Sequence, residues 1–315
     1  MENIIWLNSG KVEILTKNLR ILQKNRVTEP LIYGKILMSK NVENRGASRM
    51  EEDKLNLSAQ DALAVSAALR LPLTDLFARI RSIAAHEEML TPFLRQELEG
   101  VLRDGYRLLR LADSLSAAEG YVLEPSAAVV FPLWEELREC LESARLLLGQ
   151  KGCLLQYSLP EEPDMVRGEP EMLFRAALHL ISNALNATAG ESPVTVRGTV
   201  TGGQAVITVT DEGCGIPREL METVFEPYES RDRNGLPFQS PGLGLPLARR
   251  VLEAHGGSLR LVSGTGGTAA ICSLPLTDAP RTLKAAAPRY LEDLFSPLYT
   301  VLCDYLDPPW PYPQP

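Results

Sequence analysis

Asp211-Glu212-Gly213-Cys214-Gly215-Ile216-Pro217 is the stretch that most limits how this chain can fold. It follows Ala205-Val206-Ile207-Thr208-Val209-Thr210, whose period of two predicts a half-buried strand ending at an acid. Two glycines stand just beyond that acid. Without a Cβ, Gly213 and Gly215 let backbone approach a ligand closely and take positive φ. A carboxylate delivered to such a turn can accept hydrogen bonds from a flat, amino-bearing heterocycle such as adenine. The bland alternative is an ordinary turn between elements, and only the neighbouring sequence separates the two.

The remaining chain falls into segments around this strand. Residues 1–54 form a basic N-terminal segment without periodic pattern, expected to be disordered. Residues 1–49 carry nine Lys and Arg against four Asp and Glu, a charge of +5 that leaves −13 for the rest of a chain whose net charge is −8. A flexible tail and a natural start at Met50 both fit that shift. Residues 55–120 read as a helical hairpin. Leu69, Leu73, Leu76, Phe77, Ile80 and Ile83 recur at spacings of three and four, a break falls at Leu90-Thr91-Pro92, and a second helix carries Leu98, Val101, Leu102, Leu108, Leu109, Leu111 and Leu115. Thr91 is placed to cap that helix and Pro92 to open it. Two such stripes cannot bury themselves alone, so a homodimer that closes a four-helix bundle is expected.

Residues 121–277 alternate strands and helices. Helices are predicted from Pro132 to about Leu148, from Glu169 to about Thr188, and from Gly242-Leu243-Gly244-Leu245 to His255, where Gly256-Gly257 stops the last one. Strands are predicted at 153–159, at 194–200 and 205–210 around Gly202-Gly203, and at 258–263 and 268–274. The polar stretch 229–241 is irregular. Residues 278–315 offer one further helix, 290–306, and a Pro-rich end expected to be disordered. The fold class is therefore α+β: a helical hairpin, then an α/β sandwich whose mixed sheet is covered by helices on one face.

Charge and composition narrow the function. A net charge of −8 gives no footprint for nucleic acid. Five scattered cysteines in no metal-ligand spacing read as a reducing compartment without a disulfide frame. No apolar run approaches the ~20 residues that span a membrane, and no signal peptide is visible, so a cytoplasmic protein with no membrane span is expected.

Four further blocks stand in order around DEGCGIP, and together they resemble the catalytic ATP-binding domain of sensor histidine kinases, within the wider family shared with gyrase and the Hsp90 chaperones. His179-Leu180-Ile181-Ser182-Asn183-Ala184 resembles the N box, DEGCGIP the first glycine box, and Val224-Phe225-Glu226-Pro227-Tyr228 the F box. GLGLPLARRVLEAHGG resembles the second glycine box with its helix, and GTGGT the last. The resemblance spans roughly residues 55–277. It implies an ATP site in which Asp211 holds the adenine amino group, with Thr268 beside it. Asn183 would coordinate Mg²⁺ on the phosphates, a suitable role for a carboxamide oxygen. Gly242, Leu243, Gly244 and Leu245 would cradle phosphate at a helix start. Asn186, Gly213, Gly215 and Tyr228 complete the set, and 229–241 would be the lid. His179, Asn183 and Asn186 share one helix face, while Leu173, Ala177, Leu180 and Ala184 can face the sheet. Two positions depart from the family: Asn186 stands where many members have a cation, and Ser240-Pro241 replaces a glycine-rich entry. Arg231 and Arg233 in the lid could compensate.

The hairpin departs further. Ser66-Ala67-Ala68-Leu69-Arg70-Leu71-Pro72-Leu73-Thr74 resembles the family's phosphoacceptor block at Ser66, Leu69, Arg70, Pro72, Leu73 and Thr74. Ala67 stands at the histidine, Ala68 at its polarising acid, and Leu71 at the threonine that positions water. A methyl group neither accepts a phosphoryl group nor acts as a base. His86 lies nineteen residues on, roughly 28 Å along a helix, near the expected hairpin tip. The resemblance thus implies a two-component, phosphorelay protein that binds ATP and Mg²⁺ without self-phosphorylation at Ala67. The alternative is a pseudokinase that dimerises and docks a response regulator or partner kinase. A gyrase- or chaperone-like ATPase needs a glutamate in the N-box helix, and 172–186 holds none.

Overall fold

The computed structural model describes residues 59–86, 90–227, 242–282 and 290–309. Helices α1 (Ala59–Ala84) and α2 (Pro92–Gly120) form the hairpin. Thr91 Oγ1 accepts the Leu94 N–H at 3.2 Å, which satisfies one of the free donors at the start of α2. Pro72 lies within α1. The helices run antiparallel. Phe77 meets Tyr106 with ring centroids 4.7 Å apart, and Arg70 pairs with Asp113. Leu73, Phe77 and Ile80 of the sequence stripe are buried, while Ile83 is exposed.

The rest of the fold is a sheet with helices over one face. Helices α3 (Leu133–Gly149), α4 (Pro170–Thr188) and α5 (Gly244–Ala254) cover strands β2 (Leu155–Ser158), β4 (Val194–Thr201), β5 (Gln204–Asp211), β6 (Ser258–Gly264) and β7 (Gly267–Pro275). The strand order is β2-β4-β5-β7-β6, with β2 parallel to β4 and every other pairing antiparallel. An apolar seam between the layers is lined by Leu137, Phe174 and Leu180 from the helices and by Ile207, Cys272 and Leu274 from the strands. Leu137, Leu141, Leu148, Leu178 and Leu185 are fully buried; burying each such side chain contributes about 2 kcal/mol.

Three findings differ from the sequence reading. Val129–Pro132 (β1) and Met165–Gly168 (β3) pair as a separate two-stranded sheet, where no strand was expected. The segment 290–309 holds one short helix, α6 (Pro297–Val301), in place of the long one expected. Ser296 ends the preceding turn, with its Oγ donating to Tyr290 O at 2.8 Å, so regular helix begins only at Pro297. That segment is also packed into the fold, with Leu298, Val301 and Leu302 fully buried. The basic N-terminal segment, Tyr228 and the lid with Arg231 and Arg233 lie outside the described residues. No helix among the described residues is long and apolar enough to cross a membrane.

Candidate nucleotide site

Strand β5 ends at Asp211, as its alternation requires, and Asp211 faces Thr268 across the β5–β7 ladder. Asp211 is buried. Its Oδ1 accepts the N–H of Gly213 at 2.9 Å and of Thr268 at 3.3 Å. Oδ2 has no hydrogen bond among the described residues, which leaves one acceptor for a ligand. Burial raises the carboxyl's pKa, and the two backbone donors pull it back.

The walls around this acid tolerate no side chain. Gly215 has φ of +70°, and a Cβ there would lie 2.0 Å from Gly264 O. At Gly267 a Cβ would lie 1.9 Å from the carbonyl oxygen of Asp211. Gly213 abuts the backbone of Ala187, so the glycine turn is held against the end of α4. Ser263 binds the pieces together. Its Oγ accepts the Ile216 N–H at 2.7 Å and lies 2.7 Å from Thr268 Oγ1. Sequence reasoning passed over Ser263; its position opposite Thr268 in the last hairpin was the available signal.

Helix α4 supplies the polar face. Glu169 precedes its first turn, and the Glu169 N–H donates to His255 Nε2 at 2.9 Å. His255 Nδ1 donates in turn to Val251 O at 2.6 Å, so a neutral imidazole joins the start of α4 to the end of α5. Leu173, Ala177 and Leu180 line the seam above the sheet, as expected. His179, Asn183 and Asn186 occupy the other face in three different settings. His179 is buried, 3.5 Å from Ser114 Oγ and against Gly244 at the start of α5. Burial, then Arg110 and Arg175, push its pKa down to about 3, so it is neutral. Asn183 is half-buried and has no side-chain hydrogen bond among the described residues. Asn186 is exposed, and its Oδ1 accepts the hydroxyl of Tyr305 at 2.6 Å.

The second glycine block opens α5. Gly242 has φ of +69°. Leu243 is fully buried against Leu115, with Leu111 and Val65 beside it, and Leu245 is half-buried. The hairpin thus packs directly on the glycine block. Beside that contact, Asp113 of α2 accepts one buried hydrogen bond from Arg175 of α4 and pairs with Arg70 of α1. On the hairpin itself, Ala67, Ala68 and Leu71 are all exposed. His86 follows the end of α1, with Nδ1 3.0 Å from Ser82 O.

Fold and site together define a nucleotide-binding domain of the ATPase type. The family model of histidine kinase-, DNA gyrase B- and HSP90-like ATPases matches residues 168–278. Over 254 residues the chain is 28% identical to the circadian input-output histidine kinase CikA of Synechococcus elongatus, covering 75% of this chain and 33% of that protein. Over 134 residues it is 33% identical to the sensor protein DivL of Caulobacter vibrioides, covering 42% of this chain and 17% of that one. The crystal structure of full-length ShkA in complex with AMPPNP shares the fold at a TM-score of 0.56 and 20% identity, over 73% of this chain and 48% of that one. The chain spans a third or less of the first two relatives. Residues 168–278 are thus similar to the ATPase domains of histidine kinases, DNA gyrase B and HSP90.

Proposed function

We propose that this chain binds Mg-ATP and passes the bound state to a partner through its hairpin, without phosphorylating itself at Ala67. The observation that carries this reading is Asp211, buried at a strand end, with one carboxylate oxygen fixed by two backbone donors and the other open to a ligand. In this reading Oδ2 accepts the adenine amino group. Gly213, Gly215 and Gly267 let the backbone close tightly around the acid, and the N-terminus of α5 at Gly242–Leu245 would face phosphate. Mg²⁺, when bound, would neutralise phosphate charge. Asn183, a half-buried carboxamide with no partner among the described residues, is the side chain suited to hold it. Asn186 and Tyr228 belong to the same proposed set. Residues 55–120 would be the dimerisation hairpin, 121–277 the ATP-binding domain, and the setting cytoplasmic.

The exposed methyls of Ala67 and Ala68 favour the pseudokinase form of this function, because neither position carries a nucleophile or a base. A response regulator or a partner kinase would then read the hairpin. Calorimetry with Mg-ATP on the parent chain, Asp211→Asn and Asn183→Ala tests the reading. The parent should bind, and Asp211→Asn should weaken binding by about 10- to 100-fold, as expected when a buried acceptor is replaced by a donor. Asn183→Ala should lose the Mg²⁺ dependence. A parent that binds no Mg-ATP ends this reading. Acid-labile phosphate on the protein after incubation with labelled ATP would replace it by a phosphotransferase.

A further inference from the structure

The segment 290–309 touches both halves of the described fold at once. Toward the hairpin, Phe295 meets Phe77 edge-on at 5.7 Å, and Tyr299 meets Tyr106 at 6.3 Å. Asp304 takes two arginines of α2: Arg107 Nε at 2.7 Å and Arg110 Nη1 at 2.8 Å. Arg110 also donates to Val301 O at 3.1 Å. Toward the ATP-binding domain, Tyr290 packs edge-on against Phe174 of α4, Asp307 pairs with Lys151, and Tyr305 donates to Asn186. Most of these links involve residues more than a hundred positions apart, so the segment crosses between α2 and α4 as a strap.

Two features bear on whether the strap is fixed or releasable. Its own backbone is largely closed on itself, through Ser296 Oγ to Tyr290 O, Tyr299 Oη to Leu291 O at 3.1 Å, and Phe295 N to Asp293 Oδ1 at 2.9 Å. Its release would therefore expose no ladder of unpaired backbone groups, and the cost of release lies in the apolar surface of Leu298, Val301 and Leu302. Its docked state also carries a defect, for the hydroxyl of Tyr290 is buried with no hydrogen-bond partner among the described residues. A buried donor left unmatched opposes docking. The last residues of the strap, meanwhile, end on the exposed face of α4. Tyr305 occupies the carboxamide oxygen of Asn186, one turn beyond Asn183.

We infer that residues 290–309 are an autoinhibitory strap, which latches α2 to α4, so keeping the hairpin over the second glycine block, and ties up Asn186 beside the nucleotide site. Docked, it holds α2 over Leu243 and keeps α4 in contact with protein instead of ligand. Released, it frees α2 to move away from α5 and returns Asn186 to the site. The second half of this inference rests on the proposed Mg-ATP site; the first half does not.

The test uses the full chain and two substitutions that spare the apolar packing. Asp304→Ala removes the partner of Arg107 and Arg110, and Tyr305→Phe removes a single hydroxyl. Hydrogen–deuterium exchange reads the latch, and calorimetry with Mg-ATP reads the site. With Asp304→Ala, exchange should rise in α2 and around Leu243. Both variants should bind Mg-ATP about fivefold more tightly, the scale of one hydrogen bond released. Unchanged exchange in α2 and at Leu243 overturns the strap. Raised exchange with unaltered affinity in a chain that binds Mg-ATP overturns the autoinhibition. Raised exchange with no binding in any of the three proteins supports the latch and refutes the nucleotide reading instead.

Discussion

His179 sits one turn before Asn183 on α4, and the two differ entirely in setting. The helical period places them on one face, and it also makes Leu173, Ala177 and Leu180 the sheet-facing set, as found. The period cannot tell what covers the polar face. Ser114, 65 residues earlier in the chain, reaches His179 through the docking of α2. The consequence is a titration. His179 is held neutral in the fold with its pKa lowered to about 3, whereas the unfolded chain protonates near the ordinary value of about 6.5. Between those values the unfolded chain binds a proton that the fold refuses. Stability is therefore full above about pH 6.5 and falls with pH at up to about 1.4 kcal/mol per unit until the folded-state value is reached. His255, lowered in the same direction by burial, adds to the slope. Urea denaturation at pH 7 and pH 5 should show the parent losing about 2 kcal/mol more than His179→Asn over that interval. Equal losses would mean that this imidazole is not kept neutral by its surroundings. Asp211, by contrast, was legible from sequence because its neighbours are local: a strand of period two, then glycines.

Among the elements, the contact between α1 and α2 turns on one glycine. A Cβ at Gly105 would lie 2.8 Å from Phe77 Cε1. The Phe77 ring cannot yield easily, with Tyr106 at 4.7 Å and Phe295 at 5.7 Å from its centroid. Gly105→Ala gains up to about 1 kcal/mol of helix propensity and loses about 1–3 kcal/mol to overpacking, for an expected net loss of about 1 kcal/mol. Gly100, five residues earlier on the same helix, has nothing within 4 Å of its Cβ position. Gly100→Ala should therefore stabilise by about 0.5–1 kcal/mol. The opposite signs, read from urea midpoints, separate packing from propensity; two changes of the same sign would refute the close crossing. Both helices were legible because a stripe repeated over about four to five turns leaves little ambiguity. Strands β1 and β3 were not, because each runs into a proline that signals a helix start, Pro132 and Pro170, and that signal masks the short strand before it. The strap was read as a helix since its aromatic and aliphatic residues fall at helical spacings. What they satisfy is contact with Phe77, Tyr106 and Phe174, none of which is near in sequence.

At the scale of the whole molecule, one apolar face of the hairpin is left over. On α2, Leu94, Val101 and Leu108 are each more than 40% exposed and are spaced by seven residues. That spacing keeps them in one line along the helix, the pattern of a seam between helices. Ile83 and Leu71 of α1 and Phe93 of α2 are exposed as well. The strap meets α2 on another face, at Tyr106, and α5 covers only the end of this line, where Leu115 packs on Leu243, so that Leu94, Val101 and Leu108 stay open. A second copy of the hairpin offers the same seam by two-fold symmetry, and pairing would complete a four-helix bundle. Light scattering on the full chain at micromolar concentration should therefore give twice the mass of one chain. Val101→Asp combined with Leu108→Asp places two charges in the seam and should give a monomer with unchanged helical content. A parent that is monomeric removes the dimer. A double variant that stays dimeric moves the interface away from α2, in which case Leu71 and the exposed methyls of Ala67 and Ala68 on α1 become the surface to substitute next.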